Sequence, residues 1–299
     1  MNQKSQSAME YLMTYGWSIL IIAVILGALA YLGVFNPIYF APKANPGSCQ
    51  VFRPNGAETS YDINLLGVCQ GEVPEYVSQF NGQSSYIGFG NTLILNTGEV
   101  TVSAWVYINP ASIDGYRHDV MDDSEGTSDS GNGGGFVLAS PSESLQGEDI
   151  HFWVTINNPA NWQYANTMII TNRWILVTGT YDKNYVRLFI DGQLKNSNFA
   201  QGVFLQPLGS TAIGSFQNGQ QEYFNGMIVN VQLYNTSLDA NSIMALYQEG
   251  IGGAPIDLQN LVGWWPLNGN ANDYSGNGNN GVPTNVVYTN SWISSYNPP

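Results

Sequence analysis

The stretch RWILVTGTYDKNYVRLFIDGQL, residues 173–194, decides how the chain is read. WILVTGTY (174–181) and YVRLFI (185–190) are short runs rich in β-branched and aromatic residues, bounded by turn formers. Asp191-Gly192 then supplies the pair that a two-residue type I′ hairpin prefers, because both central residues of that turn need positive φ. The same texture recurs at VTVSAWVYI (100–108), HFWVTI (151–156) and MIVNVQLY (227–234), and Asn81-Gly82 repeats the hairpin signal. Helical periodicity is weak except near SLDANSIMALYQEG (237–250). Many short strands of this spacing predict a mainly β, two-sheet sandwich.

Composition narrows the function. The 299 residues suffice for one large β domain or two smaller ones. The net charge is −14, from 22 acidic and 8 basic residues, yet only 10% of residues are charged. Asn, Gln, Ser, Thr, Gly and Tyr therefore provide most of the polar surface, as suits an extracellular protein. With no Lys/Arg cluster, nucleic acid and anionic lipid are poor partners. The two cysteines, Cys49 and Cys69, flank a Pro/Gly-containing stretch. A disulfide between them is the natural reading in an oxidising compartment, with free buried thiols the alternative. No Cys/His spacing suggests zinc.

Ahead of the cysteines, Tyr11 to Phe35 contains no charged residue and is long enough as a helix to span a membrane. Small residues (Gly16, Ala23, Gly27, Ala28, Ala30) would let helices approach closely. NPIYFAPKANPG (36–47), with three prolines, ends that helix and forms a stalk. The segment could remain as an anchor, be cut after Ala28-Leu29-Ala30 as a secretory signal, or be cut early with the helix retained. The apolar run continues past Ala30, and Glu10 stands where a secretory signal carries positive charge, so the second fate fits poorly.

KSQSAMEYLMTYGW (4–17) resembles archaeal type IV pilins with a class III signal peptide. The resemblance implies that a prepilin peptidase cuts between Ser5 and Gln6, with Glu10 as fifth residue of the mature chain. Ser5 stands where Gly or Ala is usual. The new ammonium group would then neutralise Glu10 of its own chain or of a neighbouring pilin subunit, and would favour the docked register of a filament.

A second resemblance rests on QFNGQSSYIGF (79–89), VTVSAWVYINP (100–110), the opening stretch, and TAIGSFQNGQQEYFNGMIVNVQLYNTSL (211–238). These follow, in order, the phrases of laminin-G-like members of the concanavalin-A-like jelly-roll superfamily. LVGWWPLNGNANDYSGNGNNGVPTNVVY (261–288) also resembles that family, where it normally opens the domain. Here it could complete its own sandwich as a permutation, begin a truncated second copy, or be donated to another subunit. The expected organisation is a leader (1–5), a hydrophobic pilin-type helix (6–35), a disulfide-bearing stalk (36–71), a jelly-roll head (72–290, including 261–288) and a tail (291–299).

The superfamily includes glycoside hydrolases, but the ExDxxE triplet of its laminarinase-type members is missing, and His118 and His151 lack a nucleophile signature. A non-enzymatic head is expected. The family likeness implies calcium as a candidate cofactor, with Asp273 and Asn270 as ligands, although Val229-Asn230 occupies the place of a frequent acidic pair. HDVMDDSEGTSDSGNGGG (118–135) reads as a solvated, mobile acidic insertion. Trp105, Trp153 and Trp174 read as core, whereas Trp162 and Tyr164, in what reads as the loop NNPANWQYANT (157–167), suit a glycan or a neighbouring subunit. Asn235-Thr236-Ser237 is a glycosylation sequon.

Together these readings describe an adhesive or structural subunit of a pilus-like filament, with a lectin-like head outside the cell membrane. The alternative is a tethered binding protein that does not polymerise. Mass spectrometry of the mature N-terminal peptide from native membranes is expected to start at Gln6; a start at Tyr31 or an intact Met1 would reject pilin-type processing.

Overall fold

The computed structural model describes residues 18–27 and residues 73–299 apart from 91–92, 94, 113–115, 125–133, 141–148, 158–159, 169 and 207–208. Ser5, Gln6, Glu10, Cys49 and Cys69 lie outside the described residues, so neither the processing site nor the disulfide is visible. Residues 18–27 form a helix, α1, exposed along its whole length. Among the described residues no helix is long and apolar enough to cross a membrane. The expected span over 6–35 is thus seen only as this ten-residue piece.

The head is a sandwich of two antiparallel sheets, as the strand pattern predicts. One sheet runs β10 (Gln193–Phe199), β9 (Tyr185–Ile190), β8 (Trp174–Tyr181), β3 (Val100–Ile108), β12 (Asn225–Tyr234), β1 (Val77–Asn81), β15 (Val287–Thr289), with β13 (Leu261–Trp265) also paired to β12. The other runs β14 (Val282–Thr284), β2 (Tyr86–Gly88), β11 (Ala212–Ile213), β4 (Asp119–Ser124), β5 (Gly135–Ala139), β6 (Asp149–Asn157), β7 (Ala160–Met168). Between them, Val102, Ala104 and Val106 of β3 and Val177 of β8 meet Phe136, Phe152 and Val154 from the facing sheet. Gly179 is required there, because a Cβ would sit 2.2 Å from the Phe152 ring.

The central strands β3, β8 and β12 of the first sheet are buried on both faces, which is why their apolar runs look nearly continuous. The far side of β3 and β8 packs Trp105, Trp174 and Leu176 under helix α2 (Ala240–Glu249), through Ile243 and Leu246. Asp239 caps α2 by accepting from Ser242 N at 2.7 Å. The chain end joins this second core: Trp292 meets Trp174 at 5.8 Å, and Tyr296 meets Trp105 at 5.6 Å. Trp105 and Trp174 are therefore buried as expected, but under α2 rather than between the sheets.

The two turn signals have different fates. Asp191 (φ 52°) and Gly192 (φ 75°) make the expected β9–β10 hairpin, with Ile190 opposite Gln193. Asn81-Gly82 is no hairpin, since β1 and β2 belong to different sheets. Asn81 Oδ1 instead accepts from Gln83 N and Ser84 N, both at 2.9 Å, and turns the chain at a sandwich corner.

Residues 261–288 complete their own sandwich. β3 occupies one edge of β12, and the other edge is shared end to end: Asn225 to Ile228 pair with β1, Val231 to Tyr234 with β13. β14 and β15 then extend the two sheets beside β2 and β1. Trp265 points into the inter-sheet core and its neighbour Trp264 into the second one, as strand alternation requires.

At the junction between β1 and β13 sits Asn230, left-handed (φ 52°) and 5% exposed. Its Oδ1 accepts from Trp264 Nε1 at 2.7 Å and Gln232 Nε2 at 3.0 Å, and its Nδ2 donates to the Gly253 carbonyl at 2.8 Å. Its backbone N–H donates to Pro266 O. Asn230→Gly keeps the backbone geometry but strands these three partners, and at about 1–3 kcal/mol for each buried group left unpaired is expected to cost at least about 3 kcal/mol. Asn230→Ala adds about 1–2 kcal/mol for the left-handed conformation. Urea unfolding followed by tryptophan fluorescence checks both, and equal stability of Asn230→Ala and the parent would reject this role.

Candidate binding face of the seven-stranded sheet

Strand register defines the outward face of the second sheet. One row across it runs Tyr164, Trp153, Val137, Asp122, Ala212, Gly88, Val282. A neighbouring row runs Asn166, His151, Ala139, Asp119, and Trp162 stands opposite Thr155. The alternate residues Ala165, Phe152, Leu138, Met121, Ile213 and Ile87 all belong to the inter-sheet core, so these rows face away from it. The middle of these rows is itself covered, with Val137, Asp122, Ala212, Ala139, Asp119 and His151 at most 1% exposed, so the part that reaches solvent at the β7 end is the aromatic edge.

Trp162 and Tyr164 lie on the edge strand β7 and not in a loop. The amides that suggest a loop, Gln163 and Asn166, are tolerated because an edge strand buries little; among the described side chains of β7 only Ala165 belongs to the buried core. β7 is tied to β10 of the first sheet: Asn198 Nδ2 donates to Tyr164 O at 2.6 Å, and Asn196 Nδ2 to Asn166 O at 3.0 Å. Tyr164 remains 43% exposed. Trp153, read from the sequence as core, is half-buried and stands directly opposite Tyr164 on this outward face. His151 is enclosed between them, with ring centroids 4.5 Å from Trp153 and 5.4 Å from Tyr164. Burial lowers its pKa to about 4, against the pull of Asp149, and keeps it neutral at physiological pH.

The acidic stretch corrects the sequence reading most sharply. Asp119, Val120, Met121, Asp122, Asp123 and Ser124 are a fully buried central strand rather than a solvated insertion, while Glu125 and Asp129 lie outside the described residues. Arg117 makes the burial possible. Its Nε and Nη2 reach Asp119 at 2.9 and 3.2 Å, and Nη2 also pairs with Glu222. The guanidinium lies 5.6 Å from the Phe216 ring centre and 6.0 Å from that of Trp153. Burial opposes its charge, but Asp119, Glu222 and Asp122 together raise its pKa. Asp122 bonds to Ser124 N and Oγ, and burial, reinforced by the charge of Asp119, pushes its carboxyl well above the ordinary range. Asp123 points the other way, accepts from Thr211 Oγ1 at 2.5 Å, and is pushed by burial up to about 7.

A stiff loop walls the far end of the face. Gln217, Asn218 and Gly219 are consecutive left-handed residues, held by Gly219 N donating to Ser215 Oγ at 2.9 Å. Gln217 Nε2 reaches Ser124 O, and Asn218 Oδ1 covers Gly88. Non-glycine residues in this conformation cost about 1–2 kcal/mol each. The sequence signals this wall only through its Gln/Asn/Gly content.

The other singled-out residues lie elsewhere. Asp273 accepts four hydrogen bonds from its own segment: Trp264 N (3.0 Å), Ser275 N (2.7 Å), Ser275 Oγ (2.8 Å) and Asn279 N (2.9 Å). Asn270 Oδ1 accepts from Asn272 N. Both asparagine and aspartate thus serve Asx-type turns, a donor set that does not fit a calcium cage. Among the described residues no group of three or more His, Cys, Asp or Glu is arranged to hold a metal. Asn235 directly follows β12, its Oδ1 accepting from Thr97 N and Oγ1 at 3.1 and 3.0 Å.

Comparison with known proteins agrees with this architecture. Residues 81–244 match the laminin G model of the concanavalin A-like lectin/glucanases superfamily, and the chain belongs to that family. Among solved structures it is similar to a Bacteroides ovatus ATCC 8483 protein provisionally described as carbohydrate binding, with 16% identity, 73% of this chain and 60% of that one covered, and a TM-score of 0.50. It is also similar to the native heptameric SAP-like pentraxin of Limulus polyphemus, with 14% identity, 71% and 94% covered, and a TM-score of 0.48. The chain thus spans about 60% of the length of the Bacteroides protein, and at these identities the likeness is one of fold. No curated protein matches the chain.

Asp122 and Asp123 have carboxyl pKa values raised by folding, so their contribution to stability is present at low pH and lost as pH rises through the folded value, about 7 for Asp123. Their part of the stability is expected to fall between about pH 4 and 7, against an opposite, rising part from His151, whose pKa is lowered to about 4. Asp122→Asn/Asp123→Asn is expected to flatten that slope in urea titrations at successive pH values, and an unchanged slope would reject the assignment.

Proposed function

We propose that this is a non-catalytic, glycan-binding surface protein whose head is carried by a pilin-type N-terminal segment. The carrying observation is the outward sheet face, where Trp162, Tyr164 and Trp153 lie on adjacent strands with Asn166 beside them. This aromatic edge suits a sugar polymer: ring faces stack on the aromatics, and the Tyr164 hydroxyl and tryptophan N–H groups exchange hydrogen bonds with sugar hydroxyls, while the Asn166 amide is engaged by Asp149 and Asn196. Membership of a lectin/glucanase superfamily supports the reading, as does the carbohydrate-binding description of the Bacteroides protein. The charged groups nearby favour binding over turnover. Arg117 is held by Asp119 and Glu222, His151 is neutral and enclosed, and Asp122 is bonded to Ser124.

The N-terminal phrase supports the pilus-like role. A prepilin peptidase would release Gln6, the apolar segment would store the subunit in the cell membrane, and other pilin subunits would later receive it in a filament. The head would then face outward as an adhesive or structural element toward a glycan or another cell surface.

Two experiments test these parts separately. On a polysaccharide array, the full chain in sugar-free detergent is expected to bind, and Trp162→Ala/Tyr164→Ala to weaken binding roughly tenfold or more while unfolding at the parent urea midpoint. Binding indifferent to that change would reject the platform, and release of reducing ends from a bound polymer would reject the non-catalytic reading. Negative-stain images of cells with and without the gene address assembly: loss of filaments supports the pilus role, and an unchanged surface favours the tether.

A further inference from the structure

At the opposite end of the seven-stranded sheet from β7 lies a cleft of about 450 Å³, where the segment after β2, the end of β12 and the returning C-terminal segment meet. That volume falls within the roughly 300–1,000 Å³ typical of small-molecule sites. Among the described residues that line it, seven are Asn or Gln and none is charged.

The amides are held in two opposite senses. Asn277 Nδ2 donates to Leu261 O at 2.8 Å, and Asn279 Nδ2 to Val262 O at 2.8 Å. Asn260 Nδ2 likewise donates to Asp257 at 2.8 Å. For these three, Oδ1 takes part in no hydrogen bond among the described residues and remains to accept. Asn235 and Asn280 are turned the other way. Their Oδ1 atoms accept from Thr97 N (3.1 Å) and Asp273 N (2.9 Å), which leaves Nδ2 to donate. Because one end of each amide is fixed by its own chain, the other is preorganised. Asn96 and Gln259 add two exposed amides at the rim. Phe89, packed 4.8 Å from the Trp265 ring, contributes an apolar wall.

We infer that this cleft is a second binding site, for a neutral polyhydroxylated unit such as a single uncharged sugar residue. Vicinal hydroxyls both donate and accept, which matches an array offering three fixed acceptors and two fixed donors. The C–H face of a sugar ring suits Phe89. An anion would meet amide oxygens and a chain of net charge −14, and a cation would find no carboxylate on the walls. The sheet face is not involved: its exposed aromatic edge at β7 suits a polymer, and this site is a recess for one unit.

The test titrates glucose, galactose, mannose and N-acetylglucosamine into the full chain in sugar-free detergent, with glucuronate and glucosamine as charged counterparts. Isothermal calorimetry and side-chain amide NMR report binding. At least one neutral sugar is expected to bind saturably and shift asparagine side-chain signals, while the charged pair does not bind. Asn96→Ala/Gln259→Ala removes only exposed, unbonded amides and so spares the fold; it is expected to weaken binding roughly tenfold. Trp162→Ala/Tyr164→Ala is expected to leave monosaccharide binding unchanged. Absence of saturable binding by every neutral sugar, equal binding of the charged pair, or affinity unaffected by the cleft variant would each overturn the inference. Loss of binding in the sheet-face variant alone would move the sugar to that face, leaving the platform reading intact and this one refuted.

Discussion

One edge of β12 must serve two strands, and the left-handed backbone of Asn230 is what permits it. A regular strand would carry a single continuous partner. The break between Val229 and Val231 lets β1 end and β13 begin on the same edge, one from the start of the head and one from near its end. A buried residue in this conformation is strained, and the side chain compensates through bonds to Trp264, Gln232 and Gly253. Once β13 is seated, Trp264 and Trp265 fill the two cores on either side of the first sheet, and β14 and β15 can extend both sheets. The out-of-order C-terminal phrase thus occupies a place in its own sandwich because the geometry of β12 leaves that place open.

Charge is handled by concentration rather than dispersal. Few ionisable residues cover this acidic chain, yet Asp119, Asp122 and Asp123 are wholly buried along the single six-residue strand β4. Each has a different resolution: an ion pair to Arg117, hydrogen bonds from Ser124, and a hydrogen bond from Thr211 in the core. Arg117 in turn holds Glu222, whose loop forms the stiff wall at one end of the outward face. The ion cluster therefore positions a wall of the binding face without presenting a free charge to it. What the face and the cleft expose instead are aromatic rings and amides, the chemistry of neutral polar ligands.

Strand positions were legible wherever a short run rich in β-branched and aromatic residues is bounded by turn formers. β3, β8, β9 and the β9–β10 hairpin follow from that pattern, and their order carries the family likeness. The same rule failed where burial comes from elsewhere. The acidic β4 has the composition of a solvated loop, and only Arg117 together with neighbouring strands β5 and β11 makes it a core strand. β7 has the composition of a loop because an edge strand needs a single inward residue, Ala165. Asn81-Gly82 carries a hairpin pair, yet the flanking strands join different sheets, a choice made by partners more than a hundred residues away.

The sequence by itself determined the fold class, the neutral-polar character of the surface, the apolar N-terminal run and the laminin-G-like phrases, because these depend on local composition, period and order. The tertiary structure alone decided which aromatics are presented and which are core, as with Trp153 against Trp105, and which amides are left with a free end. Those outcomes depend on cross-strand register and on which end of each side chain a distant backbone group engages, and neither quantity is encoded in the spacing of residues along the chain.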